Sequence, residues 1–296
     1  MSSIISGLYS IWRILWRSGL FILIWGFLLA PCFVLFGSGL AQWMQTSPIE
    51  ARLYADIACA VTILAATWFM TRFIDHRPFL TIGLASGHIM RDFLGGLAVG
   101  SIWLGVSVGT AWGLGWASLI VPVGFAWPVL VGAATAMFFN VLTQELLLCG
   151  FIFQTIRRQS NIVIAIVMSA LLFASYHAGA YKGEWLPVVN VFAAGLLFCL
   201  AYSITGNLWF PISIHFAWDV LLGPVLGLTE SGISDLGGGW KMIVVNGPPL
   251  FTGGTFGLEG GFIVTLTVFI SLVLLYLFQR QKIRTLLRGD LNRYSC

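Results

Sequence analysis

Stretches of about twenty apolar residues without an interior charge recur along this chain, and they restrict its fold more than any other feature. A helix rising 1.5 Å per residue needs about 20 residues to cross the ~30 Å hydrocarbon layer of a bilayer. Only 9% of the 296 residues are charged, against about 25% in soluble domains, so lipid is the expected solvent. A transmembrane β-barrel is excluded by the same runs, because its strands alternate apolar and polar side chains over about ten residues. The expected fold is all-α: a polytopic integral membrane helical bundle of about eight transmembrane helices, forming a single domain over 1–296.

The spans fall at about 19–40, 55–73, 93–114, 127–156, 161–180, 186–206, 208–228 and 261–279. The first run continues to about Leu40, longer than the apolar core of a signal peptide, and reads as a retained helix. With the N-terminus inside, twelve of the 15 Lys and Arg residues lie in inner segments, and only Arg52, Lys182 and Lys241 lie outside. This positive-inside bias favours an even number of spans with both termini cytoplasmic, as in a bacterial inner-membrane protein. The net charge of +4 therefore reflects helix ends. No segment offers a basic face with aromatic platforms, so no nucleic-acid partner is expected.

Span three carries Gly96, Gly100, Gly105, Gly109 and Gly113, a face suited to close helix packing. Residues 229–260, with Gly237-Gly238-Gly239 and Gly247-Pro248-Pro249, read as a mobile outer loop. The five cysteines, Cys32, Cys59, Cys149, Cys199 and Cys296, have no metal-ligand spacing and imply no disulfide framework.

Few ionisable residues remain well inside the spans: Glu145, His177, His215 and Asp219. A charge at mid-bilayer costs roughly 2.5–3.5 kcal/mol even on insertion scales, so such groups should face the bundle interior and each other. His215 and Asp219, four residues apart, share one helix face. Taken singly, each could be a hydrogen-bonded packing contact. Together they predict one water-accessible polar site, which requires the two imidazoles to lie within about 12 Å so that one water can bridge them.

Three stretches carry a specific pattern: Gln144-Glu145-Leu146-Leu147-Leu148-Cys149, Phe173-Ala174-Ser175-Tyr176-His177 and His215-Phe216-Ala217-Trp218-Asp219, with Asn207-Leu208-Trp209-Phe210-Pro211-Ile212 before the last. In order and spacing they resemble the CAAX-protease and bacteriocin-processing family of intramembrane endopeptidases, over about 125–225. Its motifs are Glu-Glu-x-x-x-Arg, Phe-x-x-x-His and His-x-x-x-Asn/Asp. Gln144 stands at the first glutamate and Cys149 at the arginine, while the other two motifs are intact.

The resemblance implies hydrolysis of a peptide bond in a membrane-associated substrate, as in CAAX processing, by water activated by a carboxylate and a histidine. The catalytic set it suggests is Gln144, Glu145, His177, His215 and Asp219. His177 stands on the base side, and His215 and Asp219 on the oxyanion side, or Asp219 orients His215. An amide takes no proton from water at neutral pH, so Glu145 would have to replace Gln144, from a position rotated by about 100° around the helix. Cys149 reads as a buried packing residue rather than a replacement nucleophile. No cofactor is expected. Zinc is the alternative, since two histidines and carboxylates form a possible ligand set. Two other functions compete: a catalytically impaired relative acting as a binding or immunity scaffold, and a proton-coupled transporter using the same groups as a relay.

Overall fold

The computed structural model describes residues 2–34, 37–85, 87–120, 122, 124, 126–234, 236 and 241–292. Gly237-Gly238-Gly239, Arg293 and Cys296 lie outside the described residues. The chain forms an all-α membrane bundle. Its first helix, α1 (Ser2–Val34), starts well before the expected residue 19, because no proline interrupts the chain until Pro31. Helix α2 (Gly37–Thr46) follows, then α3 (Pro48–Phe69), which opens on a proline and runs on through a π-turn at Met70–Ile74. Helix α4 (Ile89–Gly113) leads into a short strand, β1 (Ala117–Leu119).

Next come α5 (Trp127–Glu145), a π-helical stretch at Leu146–Ile152 and α6 (Phe153–Gln159), one continuous rod. Helix α7 (Ile162–Tyr176) is capped by the Asn161 side chain, which accepts from the Ile164 amide. Helix α8 (Trp185–Thr205) ends on Gly206 at φ 73°, a left-handed C-terminal position that glycine fills without strain. Helix α9 (Trp209–Val220) loosens into a π-segment at Leu221–Val225, where Pro224 supplies no backbone donor. Strand β2 (Ile243–Val245), the short α10 (Pro249–Thr252) and the long α11 (Phe262–Asn292) complete the chain.

Six helical rods among the described residues are long and apolar enough to cross a bilayer; α7 and α9 are shorter. Hydrogen bonds nevertheless relate α7 and α9 to the two ends of the bundle. At one end, Asp75 holds Arg17, Arg77 and Arg158, while Tyr202 donates to the Ile82 carbonyl and the Leu208 amide to Gly83. At the other, β1 pairs antiparallel with β2, Ala117 opposite Val245. Residues 158 and 202 share an end, so α7 must return what α8 traverses. Residues 208 and 243 are at opposite ends, so α9 must connect them.

Helix α4 packs along α9, α3 along α5 and α7 along α8. The glycine face of α4 is only half used for this. A Cβ on Gly96 would meet Ser213 Oγ at 1.9 Å and one on Gly100 the Ile214 carbonyl at 2.3 Å, whereas Gly105, Gly109 and Gly113 have nothing within 4 Å. Outward-facing apolar side chains such as Phe27 and Phe278 are about four-fifths exposed, as lipid-facing residues would be.

The described part of residues 229–260 corrects the expectation of a mobile loop. It is folded onto the bundle: the Gly232 amide donates to Phe256, Glu230 and Ile233 exchange backbone hydrogen bonds, and Asn190 of α8 donates to the carbonyls of Glu259 and Gly261. A glycine permits this close folding. Gly257, at φ 94°, presses so near Thr229 that a Cβ would lie 2.1 Å from its carbonyl oxygen.

Candidate active site

Two short helix-loosening segments frame the polar centre, since π-helical turns directly follow Glu145 and Val220. Such turns recur at functional sites. One turn before the second of them, the i,i+4 pair of α9 brings His215 Nε2 to 3.3 Å from Asp219 Oδ2. The other imidazole nitrogen, Nδ1, lies 3.0 Å from Glu145 Oε1. His215 is thus gripped between two carboxylates, and Phe198 stacks on its ring at 4.6 Å.

His177 ends α7, and its Nδ1 lies 2.9 Å from the Phe173 carbonyl. A carbonyl only accepts, so Nδ1 carries the hydrogen in the neutral ring and Nε2 keeps its lone pair. The Phe173 ring touches both imidazoles, at 4.8 Å from His177 and 5.6 Å from His215 between centroids, which keeps them inside the 12 Å limit for a bridging water.

Both histidines line one cavity of about 200 Å³, room for a few water molecules, together with Asp219 and Gln144. Glu145 does not reach it. It is fully buried behind His215, because one residue's rotation around α5 turns Gln144 to the cavity and Glu145 away from it.

The Gln144 amide is oriented by a chain that ends in a carboxylate. Gln144 Nε2 donates to Asn140 Oδ1 at 2.6 Å, and Asn140 Nδ2 donates to Asp56 Oδ1 at 3.0 Å. Gln144 Oε1 is left buried without a partner. Arg52, at 3.4 Å from Asp56, also lines the cavity. Cys149 is buried outside the cavity, its sulfur 3.1 Å from Cys199, and both are free thiols.

Two cavity carboxylates escaped sequence reasoning, Glu230 and Glu259, both from the segment after α9. Glu259 accepts from Trp218 Nε1 at 2.8 Å and from the Ser231 amide at 2.7 Å. Burial raises the Glu259 carboxyl above its ordinary value, and these donors work against the rise. Burial likewise pushes Glu230 up to about 8, with Arg52 opposing. The signal available in the sequence was scarcity, since a chain with 11 acidic residues places three of them, Glu230, Asp235 and Glu259, in this one segment.

Among the described residues no three His, Cys, Asp or Glu side chains are grouped as metal ligands, and both nitrogens of His215 are committed to carboxylates.

Residues 125–221 match the family model described as type II CAAX prenyl endopeptidase Rce1-like. Over these residues the chain is similar to that family. The match spans about a third of the chain and takes in α5 to α9, and with them Gln144, Glu145, His177, His215 and Asp219. It names the same kind of family as the three sequence motifs do. No curated protein and no solved structure matches the chain.

Proposed function

We propose that this chain is an intramembrane endopeptidase that cleaves a membrane-associated peptide of CAAX type with activated water. The observation that supports this best is the meeting of His177, His215 and Asp219, all within the stretch similar to Rce1, on one cavity. His177 Nε2, free to accept, sits on the side of the attacking water. His215 sits on the side of the carbonyl oxygen. Its contact with Asp219 is the longer of its two, so an incoming oxyanion displaces Asp219 from Nε2–H while Glu145 keeps the ring in place. Phe173 and Phe198 lower the local dielectric and strengthen each of these interactions.

The test is cleavage of a membrane-anchored, internally quenched peptide by the purified chain in liposomes. Wild type should turn over, and a His177→Ala, His215→Ala double variant should lose at least about 10²-fold, the low end of general acid–base assistance. Chelator should leave the rate unchanged. Wild-type cleavage by the double variant would remove the assignment.

Gln144 on the cavity wall favours a second reading, a relative that binds such peptides without cutting them. That reading expects saturable peptide binding and no product.

A further inference from the structure

Hydrolysis needs a group to take the proton of water, and the position where the family motif carries its first glutamate is here an amide. The cavity is nevertheless walled by three carboxylates, those of Asp219, Glu230 and Glu259. Asp219 is engaged by His215. Both oxygens of Glu259 are taken, Oε1 by Trp218 and Oε2 by Ser231. Glu230 differs from both. It is 9% exposed, its Oε2 is buried with no partner, and no described residue donates to its side chain.

The fold makes room for this carboxylate. A Cβ on Gly223, in the π-segment after α9, would lie 2.8 Å from Glu230 Oε2. The backbone bridge between Glu230 and Ile233 then fixes the residue where the chain turns back over the cavity. A buried acceptor without a donor is destabilising, so this carboxylate calls for a group with O–H or N–H bonds to reach it. Water is the donor that a peptidase must admit.

We infer that Glu230, folded into the cavity from the segment after α9, is the carboxylate that deprotonates the attacking water in place of Gln144. This rests on the endopeptidase reading. Water gives one proton to Glu230 as its oxygen bonds to the peptide carbonyl carbon, and the carbonyl π electrons move onto oxygen beside His215. As the C–N bond breaks, the proton passes from Glu230 to the departing amine, so that peptide and water give one acid and one amine. Arg52, Asp56, Tyr176, His177, His215, Asp219 and Glu259 are the charged and titratable groups around the site. Burial, the largest influence on Glu230, and Glu259 and Asp56 raise it, while Arg52 lowers it, to about 8. The base works only when ionised, so the rate should climb with pH towards that value.

The experiment uses the full chain in liposomes with a quenched peptide ending in a farnesylcysteine CAAX sequence. Glu230→Gln should lower kcat about 10²- to 10⁴-fold and abolish the rise with pH, with thermal unfolding within a few degrees of wild type. Adding Gln144→Glu to that variant should restore part of the rate, because both side chains line one cavity. Glu230→Gln cleaving within about twofold of wild type would overturn the inference and leave the peptidase reading standing. So would an inert wild type that gains turnover from Gln144→Glu alone, since the cavity would then have lacked a working carboxylate. If wild type and Gln144→Glu are both inert, the peptidase reading itself falls, and the role of Glu230 with it.

Discussion

Glu145 has no path to water, yet it touches the chemistry through the imidazole in front of it. Its Oε1 accepts from His215 Nδ1 at 3.0 Å, which leaves Nε2 directed at Asp219 and the cavity. The residue is better described as positioning His215 than as exchanging protons with substrate. A hydrogen bond to a charged acceptor contributes about 1.5–3 kcal/mol and a neutral one about 0.5–1.5. Glu145→Gln, keeping an acceptor in place, should therefore lower kcat by roughly tenfold, about 1.4 kcal/mol of barrier, with KM little changed. Glu145→Ala should also lower the unfolding temperature, because it leaves the buried Nδ1–H without a partner. If Glu145→Gln proved as inactive as the histidine double variant, Glu145 would have to be the proton acceptor after all.

At the scale of elements, the helices were legible because a long apolar run in lipid has no alternative to satisfying its own backbone. His177, His215 and Asp219 were legible for the same reason, since an ionisable group in such a run is costly unless it faces others. Glu230 and Glu259 were not. They sit in a segment without periodicity, and what draws it over the cavity is long-range: the pairing of β2 with β1 and the donors of Asn190. The glycines of α4 were read correctly as a packing face but not in extent, because four-residue spacing does not say where the neighbouring helix crosses. The crossing lies at Gly96 and Gly100, against the turn of α9 that carries His215. Gly100→Ala should push α9 aside, lowering both the unfolding temperature and cleavage. Gly105→Ala, with nothing within 4 Å, should be neutral or stabilising by about 0.5–1 kcal/mol, the ordinary gain of alanine over glycine in a helix. Equal effects of the two substitutions would mean that α4 does not pack on α9 at Gly100.

For the whole molecule, the two ends of the bundle differ in chemistry as well as in position. One gathers Arg17, Arg77 and Arg158 around Asp75. The other carries the β1–β2 ribbon, and the cavity's loop residues Glu230, Ser231 and Glu259 belong to the segment that bears β2. Basic clusters are retained on the cytoplasmic side, so the arginine end should face the cytoplasm and the ribbon end the opposite compartment. Reporters fused after Arg158 and after the last residue should then both read cytoplasmic, and one inserted at Gly238 should read external. This orientation also decides where substrate is met. The cavity would be reached from the external leaflet, so an impermeant thiol reagent should label a cysteine introduced at the half-exposed Ile233 in intact cells. It should not label one introduced in the Arg77 region. A cytoplasmic signal at Gly238 would reverse the orientation and place the scissile bond at the cytoplasmic leaflet instead.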